Sequence, residues 1–96
     1  TMAQAPVPRT RSILITGCSS GIGAHAALGL RARGWRVFAA CRKEEDCQRL
    51  RAEGFKSPRL DYADPASIAS ALAEVLEATG GTLDALFNNA AHALPG

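Results

Sequence analysis

The sequence predicts an α/β fold: a doubly wound parallel sheet with helices on both faces. Short apolar, partly β-branched runs alternate with stretches of helical period in the order β-α-β-α-β-α-β. Alternation of this kind requires parallel strands joined by right-handed crossovers. Glycine or proline marks the turns, and the chain carries neither internal repeats nor low-complexity tracts.

Each element follows from its residues. SILIT, residues 12–16, is an apolar run that stops at Gly17 and reads as a buried strand. Ile22, Ala26 and Leu30, with Ala27 beside them, recur at helical spacing until Gly34, which predicts a helix of about three turns. RVFAAC, residues 36–41, is the second strand, introduced by Trp35 at the sheet margin. KEEDCQRLRAEG is a polar helix with a thin apolar face at Cys47 and Leu50. SPRLDY, residues 57–62, reads as a third strand, and Pro58 places it on a sheet edge because proline donates no ladder bond. Asp64 and Pro65 then open a helix as N-cap and first helical residue. Its expected apolar face is Ile68, Leu72, Val75, Leu76 and Thr79. The fourth strand is Leu83 to Phe87.

The bulk composition excludes several classes. Ninety-six residues, 47% hydrophobic and 21% charged, describe one modest soluble domain. The net charge of +2 is scattered among acids without an aromatic-basic stripe, which argues against nucleic acid as a partner. No apolar run approaches the roughly 20 residues that span a bilayer. Cys18, Cys41 and Cys47 lack the paired spacing of a disulfide framework or a zinc site. Nothing suggests a metal, and free thiols in a reducing cytoplasm are the expectation. Residues 1–10 carry two prolines and no signal-length apolar core, so they read as a flexible lead-in to a unit spanning 11–96.

The chemistry concentrates in TGCSSGIG, residues 16–23, between the first strand and the first helix. In an open α/β sheet, ligands bind beyond the carboxyl ends of the strands. Gly17, Gly21 and Gly23 let the backbone approach a pyrophosphate, and the amide groups at the helix N-terminus face its charge. Ser19 and Ser20 add hydroxyl donors. Strand, loop and helix stand in the order that a dinucleotide site needs. About 20 residues further on, an acid would bind the ribose diol of NAD and repel a 2′-phosphate. This chain has Cys41, Arg42 and Lys43 there instead. A guanidinium pairs with a phosphate through two hydrogen bonds, so NADP(H) is favoured over NAD(H). The plainer alternative makes Arg42 and Lys43 an exposed helix start. Cys18 lies near a helix N-terminus, a place that lowers thiol pKa, yet it reads as a small packing residue. His25 reads as exposed and His92 as a loop histidine.

TGCSSGIG, with LDYADPASI and with NNAA at residues 88–91, resembles the short-chain dehydrogenase/reductase family from about Arg11 to Gly96. The resemblance implies a Rossmann-type sheet in strand order 3-2-1-4. It implies that the loop through Gly17, Cys18, Ser19, Ser20, Gly21, Ile22 and Gly23 cradles the phosphates and the adenosine ribose. Asp61 would accept a hydrogen bond from the adenine amino group, with the Tyr62 backbone beside the ring. Asn89 and Ala90 would line the path toward the nicotinamide ribose, while Asn88 ties the fourth strand into the sheet. Ala91 departs from the usual glycine.

The family interconverts a carbonyl and an alcohol by hydride transfer, using a tyrosine with a lysine four residues later as acid and base. Here the single tyrosine, Tyr62, is followed at that spacing by Ala66. The expectation is the cofactor-binding portion of a longer oxidoreductase, without catalytic residues of its own and inactive alone, the complete protein assembling with copies of itself. The alternative is a non-catalytic dinucleotide sensor or scaffold of the same fold. Steroids, retinoids or other lipophilic alcohols are weakly suggested as substrates.

Overall fold

The computed structural model describes residues 10–19 and 21–89. Six elements follow in order: β1 (Ser12–Ile15), α1 (Gly21–Ala32), β2 (Arg36–Ala39), α2 (Glu44–Ala52), α3 (Pro65–Thr79) and β3 (Ala85–Phe87). The strands form a three-stranded parallel sheet in the order β2-β1-β3. Strand alternation divides the core. Ile13, Ile15, Val37, Ala39 and Cys41 point to one face, where Ala27 of α1 and Cys47 and Leu50 of α2 cover them. Leu14, Phe38 and Ala40 point to the other, against Ala71 and Val75 of α3. Helices thus cover both faces, and the buried β-branched and aromatic residues account for the near-continuous apolar runs in β1 and β2.

The third predicted strand is replaced by two isolated parallel bridges, Phe38 with Lys56 and Cys41 with Arg59, on the free side of β2. Pro58 explains the break. Ala39 N–H donates to Lys56 O (2.8 Å) and Leu60 N–H donates to Cys41 O (2.9 Å). Between these two bonds the ladder needs a donor from residue 58 to Ala39 O, and proline has none. The Ser57 hydroxyl supplies it instead, donating to Ala39 O at 2.6 Å. Ser57 is buried, so no water can substitute for it. Ser57→Ala is expected to lower stability by about 1–3 kcal/mol, the cost of a buried unsatisfied carbonyl. Urea unfolding should show a lower midpoint with an unchanged slope; an unchanged midpoint would refute this role for the hydroxyl.

The helix starts and stops match their residues. Asp64 Oδ1 accepts from Ala66 N at 3.2 Å and Pro65 opens α3, while Gly80 closes it in the left-handed conformation. Cys47 and Leu50 are the buried residues of α2. Two expected faces are corrected. On α3 the buried line is Ser67, Ala71 and Val75, whereas Leu72 and Leu76 are exposed. Small side chains let the helix approach Phe38 and Leu14 closely, and the larger leucines flank that contact. On α1 the inner residues are Gly23 and Ala27, and Ile22 is 71% exposed at the very start of the helix.

Candidate functional site

Parallel pairing brings the carboxyl ends of all three strands to one edge. The glycine loop leaves β1 there, tied to both neighbouring strands. Thr16 N–H donates to Phe87 O (3.1 Å) on the β3 side, and Cys18 N–H donates to Ala40 O (3.0 Å) on the β2 side. Gly17 and Gly21 have φ of 68° and 70°, left-handed values that cost other residues strain. Gly23 is required for closeness: a Cβ there would stand 2.5 Å from Gly17 O and 2.6 Å from Asn89 Nδ2. Asn89 Nδ2 itself donates to Gly17 O at 3.3 Å. Loop, first helical turn and β3 end therefore meet with no room for a methyl group. No acid occupies the first turn of α1, so its free amide groups present an uncompensated positive end.

The side chains around the loop divide into clear groups. Cys18 turns inward, with Sγ donating to Ile15 O at 3.3 Å. Burial pushes its thiol up to about 12, with the nearby Cys41 adding to the rise. The lowering that a helix N-terminus would produce is overturned, because the sulfur sits in the core; the residue is fully buried and its N–H is already bonded to Ala40 O. Ser19 is exposed, and its carbonyl accepts from Arg49 Nη2 at 2.7 Å while Arg49 Nη1 pairs with Asp46 at 2.9 Å. No local pattern marks Arg49, which reaches the loop from α2. Ser20, Ala90, Ala91 and His92 lie outside the described residues, as does the lead-in up to residue 9.

Arg42 and Lys43 follow buried Cys41 and are exposed. Neither side chain has a hydrogen-bond or ion-pair partner among the described residues. Because Cys18 N–H is bonded to Ala40 O, these two cations emerge beside the glycine loop. Asp61 is drawn toward its own turn: Oδ1 accepts from Ala63 N (2.9 Å) and Oδ2 lies 3.6 Å from Arg59 Nη2. Tyr62 reaches further, its hydroxyl donating to Asn88 Oδ1 at 2.6 Å and lying 3.4 Å from Thr16 Oγ1. Thr16 Oγ1 also accepts from Asn89 N at 2.9 Å. Thr16, the first residue of the glycine motif, is the hub on which the strand ends meet.

A separate open groove of about 400 Å³ lies between α2 and α3, lined by Glu44, Arg51, Arg59, Asp64 and Glu74 among others. It shares no residue with the glycine loop. Four of its charges are paired, Arg51 with Glu44 at 2.7 Å and Arg59 with Asp64 at 3.4 Å. Arg51 holds the Glu44 carboxyl below its usual value. Among the described residues there is no group of metal-ligating side chains, and no helix is long and apolar enough to cross a membrane.

Three kinds of comparison bear on this arrangement. The family profile described as short chain dehydrogenase matches residues 11–95. The chain is 43% identical over 86 residues to the uncharacterized oxidoreductase YbbO of Escherichia coli K12, covering 90% of this chain and 32% of that protein. It thus spans about a third of the length of that relative. Among solved structures, an actinorhodin polyketide ketoreductase with NADPH superposes with a TM-score of 0.72 at 34% identity, over 86% of this chain and 34% of that one. A 3-ketoacyl-(acyl-carrier-protein) reductase from Brucella melitensis complexed with NADH gives 0.70 at 25% identity, over 79% and 32%. A glycine loop closed against Asn89, at the carboxyl edge of a parallel sheet, stands inside the stretch that the profile covers: the chain belongs to the short-chain dehydrogenase family.

Proposed function

We propose that this chain is the dinucleotide-binding portion of an NADP(H)-dependent oxidoreductase that interconverts a carbonyl and an alcohol. The observation that carries the proposal is the glycine loop, where Gly17 and Gly21 take left-handed backbone and Gly23 packs on Gly17 O. That geometry leads the chain straight into the N-terminus of α1, whose first turn carries no acid, and such a helix end suits a pyrophosphate. A bound nicotinamide would supply the hydride. The residues of this chain would hold and orient the cofactor: the loop from Gly17 to Gly23 on the phosphates, Asp61 and Tyr62 at the adenine, Asn89 and Ala90 toward the nicotinamide ribose. Alone, the chain would bind without turnover, since Tyr62 is followed four residues later by Ala66 and its hydroxyl is engaged by Asn88.

The preference for NADP(H) rests on Arg42 and Lys43, two cations beside the loop without a partner among the described residues, where an NAD site would carry an acid. Of the solved relatives, one carries NADPH and another NADH, and the two cations support the NADP(H) reading. In the complete protein the segment through Lys56–Arg59 would take the third strand position, giving order 3-2-1-4 over a unit spanning 11–96. Three free, buried thiols favour a reducing, cytoplasmic setting. Fluorescence titration of the complete protein with NADPH and NADH tests the proposal, and binding of neither would reject it. Arg42→Asp is expected to shift the NADPH-to-NADH affinity ratio roughly 10- to 100-fold toward NADH, the size of a lost charge-assisted pair. An unchanged ratio would remove Arg42 from the account of selectivity.

A further inference from the structure

The glycine loop is tied to its neighbours at two consecutive residues, by bonds of different kinds. Cys18 N–H donates to the main chain of the β2 side at Ala40 O (3.0 Å). Ser19 O accepts from Arg49 Nη2 at 2.7 Å, so the second tie comes from α2, 30 residues away in sequence. The other arm of the same guanidinium lies on Asp46 Oδ1 at 2.9 Å. One planar fork thus bridges a main-chain carbonyl and a carboxylate, a geometry that a lysine ammonium on its flexible stem holds less rigidly. The Arg49 side chain is 51% exposed, and an isolated exposed ion pair contributes little to stability. Its consequence is geometric.

What the bridge joins is the loop and the helix that follows the two exposed cations. Lys43 O accepts from Asp46 N and Cys47 N, both at 3.1 Å, and Cys47 Sγ reaches back to Cys41 O at 3.6 Å. The main chain through Arg42 and Lys43 is therefore fixed to the first turn of α2, and Arg49 fixes that turn to Ser19. A ligand that touched only the loop would be indifferent to the join. One that touched the loop and the cations together would depend on it.

We propose that Arg49 is a specificity-determining positioning residue, which holds the glycine loop at a set distance from Arg42 and Lys43. A dinucleotide whose 2′-phosphate meets those cations while its pyrophosphate meets the loop then engages both without deforming either. The inference rests on the NADP(H) reading given above. Arg49 acts through Ser19 O and not on the ligand, and Asp46 orients its fork.

The test is a mutant cycle on the complete protein, with binding of NADPH and of NADH followed by fluorescence. Arg49→Met removes the fork and keeps much of the side-chain volume; because the residue is half-exposed the variant should fold, which circular dichroism checks. It is expected to weaken NADPH by roughly tenfold and NADH by less than about threefold. Arg49→Lys, which can still reach Ser19 O, should recover part of the NADPH loss. In an Arg42→Ala, Lys43→Ala background the selective part should vanish, so that Arg49→Met then weakens both cofactors alike. Equal weakening of NADPH and NADH in the parent background would make Arg49 a general support of the loop and overturn its part in selectivity. A tenfold loss of NADPH that persists without Arg42 and Lys43 would make Arg49 a phosphate contact in its own right and overturn the coupling. A parent that binds neither cofactor would reject the dinucleotide reading itself, and one that binds NADH as tightly as NADPH would reject the 2′-phosphate reading, each before Arg49 comes into question.

Discussion

Gly23→Ala is expected to cost about 3 kcal/mol, the upper part of the range for forcing a methyl group into a packed site. The added carbon would meet Gly17 O at 2.5 Å and Asn89 Nδ2 at 2.6 Å. Asn89 is a side-chain tip and can swing, at the loss of its bond to Gly17 O. Gly17 O is main chain, held in a loop that is bonded to β2 and β3, and cannot. The loop would have to change shape, so affinity for a dinucleotide should fall together with stability. Gly29 provides the internal control: it lies on the same helix, and a Cβ there meets nothing within 4 Å. Gly29→Ala should stabilise by about 0.5–1 kcal/mol through helix propensity. Opposite signs in urea unfolding are the expected pair of results, and a harmless Gly23→Ala would refute the close packing.

The second large effect concerns alkaline stability. Burial pushes the thiols of Cys18 and Cys41 up to about 12, from an ordinary value of 9.0. Below pH 9 both folded and unfolded chains keep these protons, and the stability is fully present. Between about pH 9 and 12 the unfolded chain releases them while the folded chain does not, so stability falls as pH rises. Each thiol contributes a slope of up to about 1.4 kcal/mol per pH unit. Unfolding midpoints at pH 8 to 11 should decline, and a Cys18→Ala, Cys41→Ala double variant should flatten the decline. A slope that is the same in the variant would show that other groups dominate. By the same physics, a thiol reagent at pH 8 should modify neither residue until the chain unfolds.

What could be read from residues alone was local. Alternating apolar runs, the Asp64–Pro65 start and the glycine loop each act within a few positions, and each appears in the structure near its expected bounds. Pro58 signalled an edge, but whether one missing donor bends a ladder or divides it depends on the neighbour, and Ser57 completes the pattern by side chain. The direction of the Cys18 shift was hidden for another reason: a helix N-terminus lowers a thiol and burial raises it, and only the orientation of Sγ decides. The α3 face was rotated because helical period marks large apolar residues, whereas close packing on Phe38 selected Ser67 and Ala71. Arg49 and Tyr62 act across 30 and 46 residues, distances at which periodicity carries no information.

The pairing of β1 with both neighbours also has a consequence in time. Joining β1 to β2 closes a loop of about two dozen residues, whereas β1 and the start of β3 are tied by Ser12 and Asp84, 72 residues apart. Loop-closure entropy rises with length and long-range pairing is slow. The β1–β2 pairing is therefore the entropically cheaper of the two to close, and the docking of β3 against the glycine turn the costlier. The glycine turn and the strand end that packs on it close over loops of different length, and the tight contact at Gly23 is the seam between them.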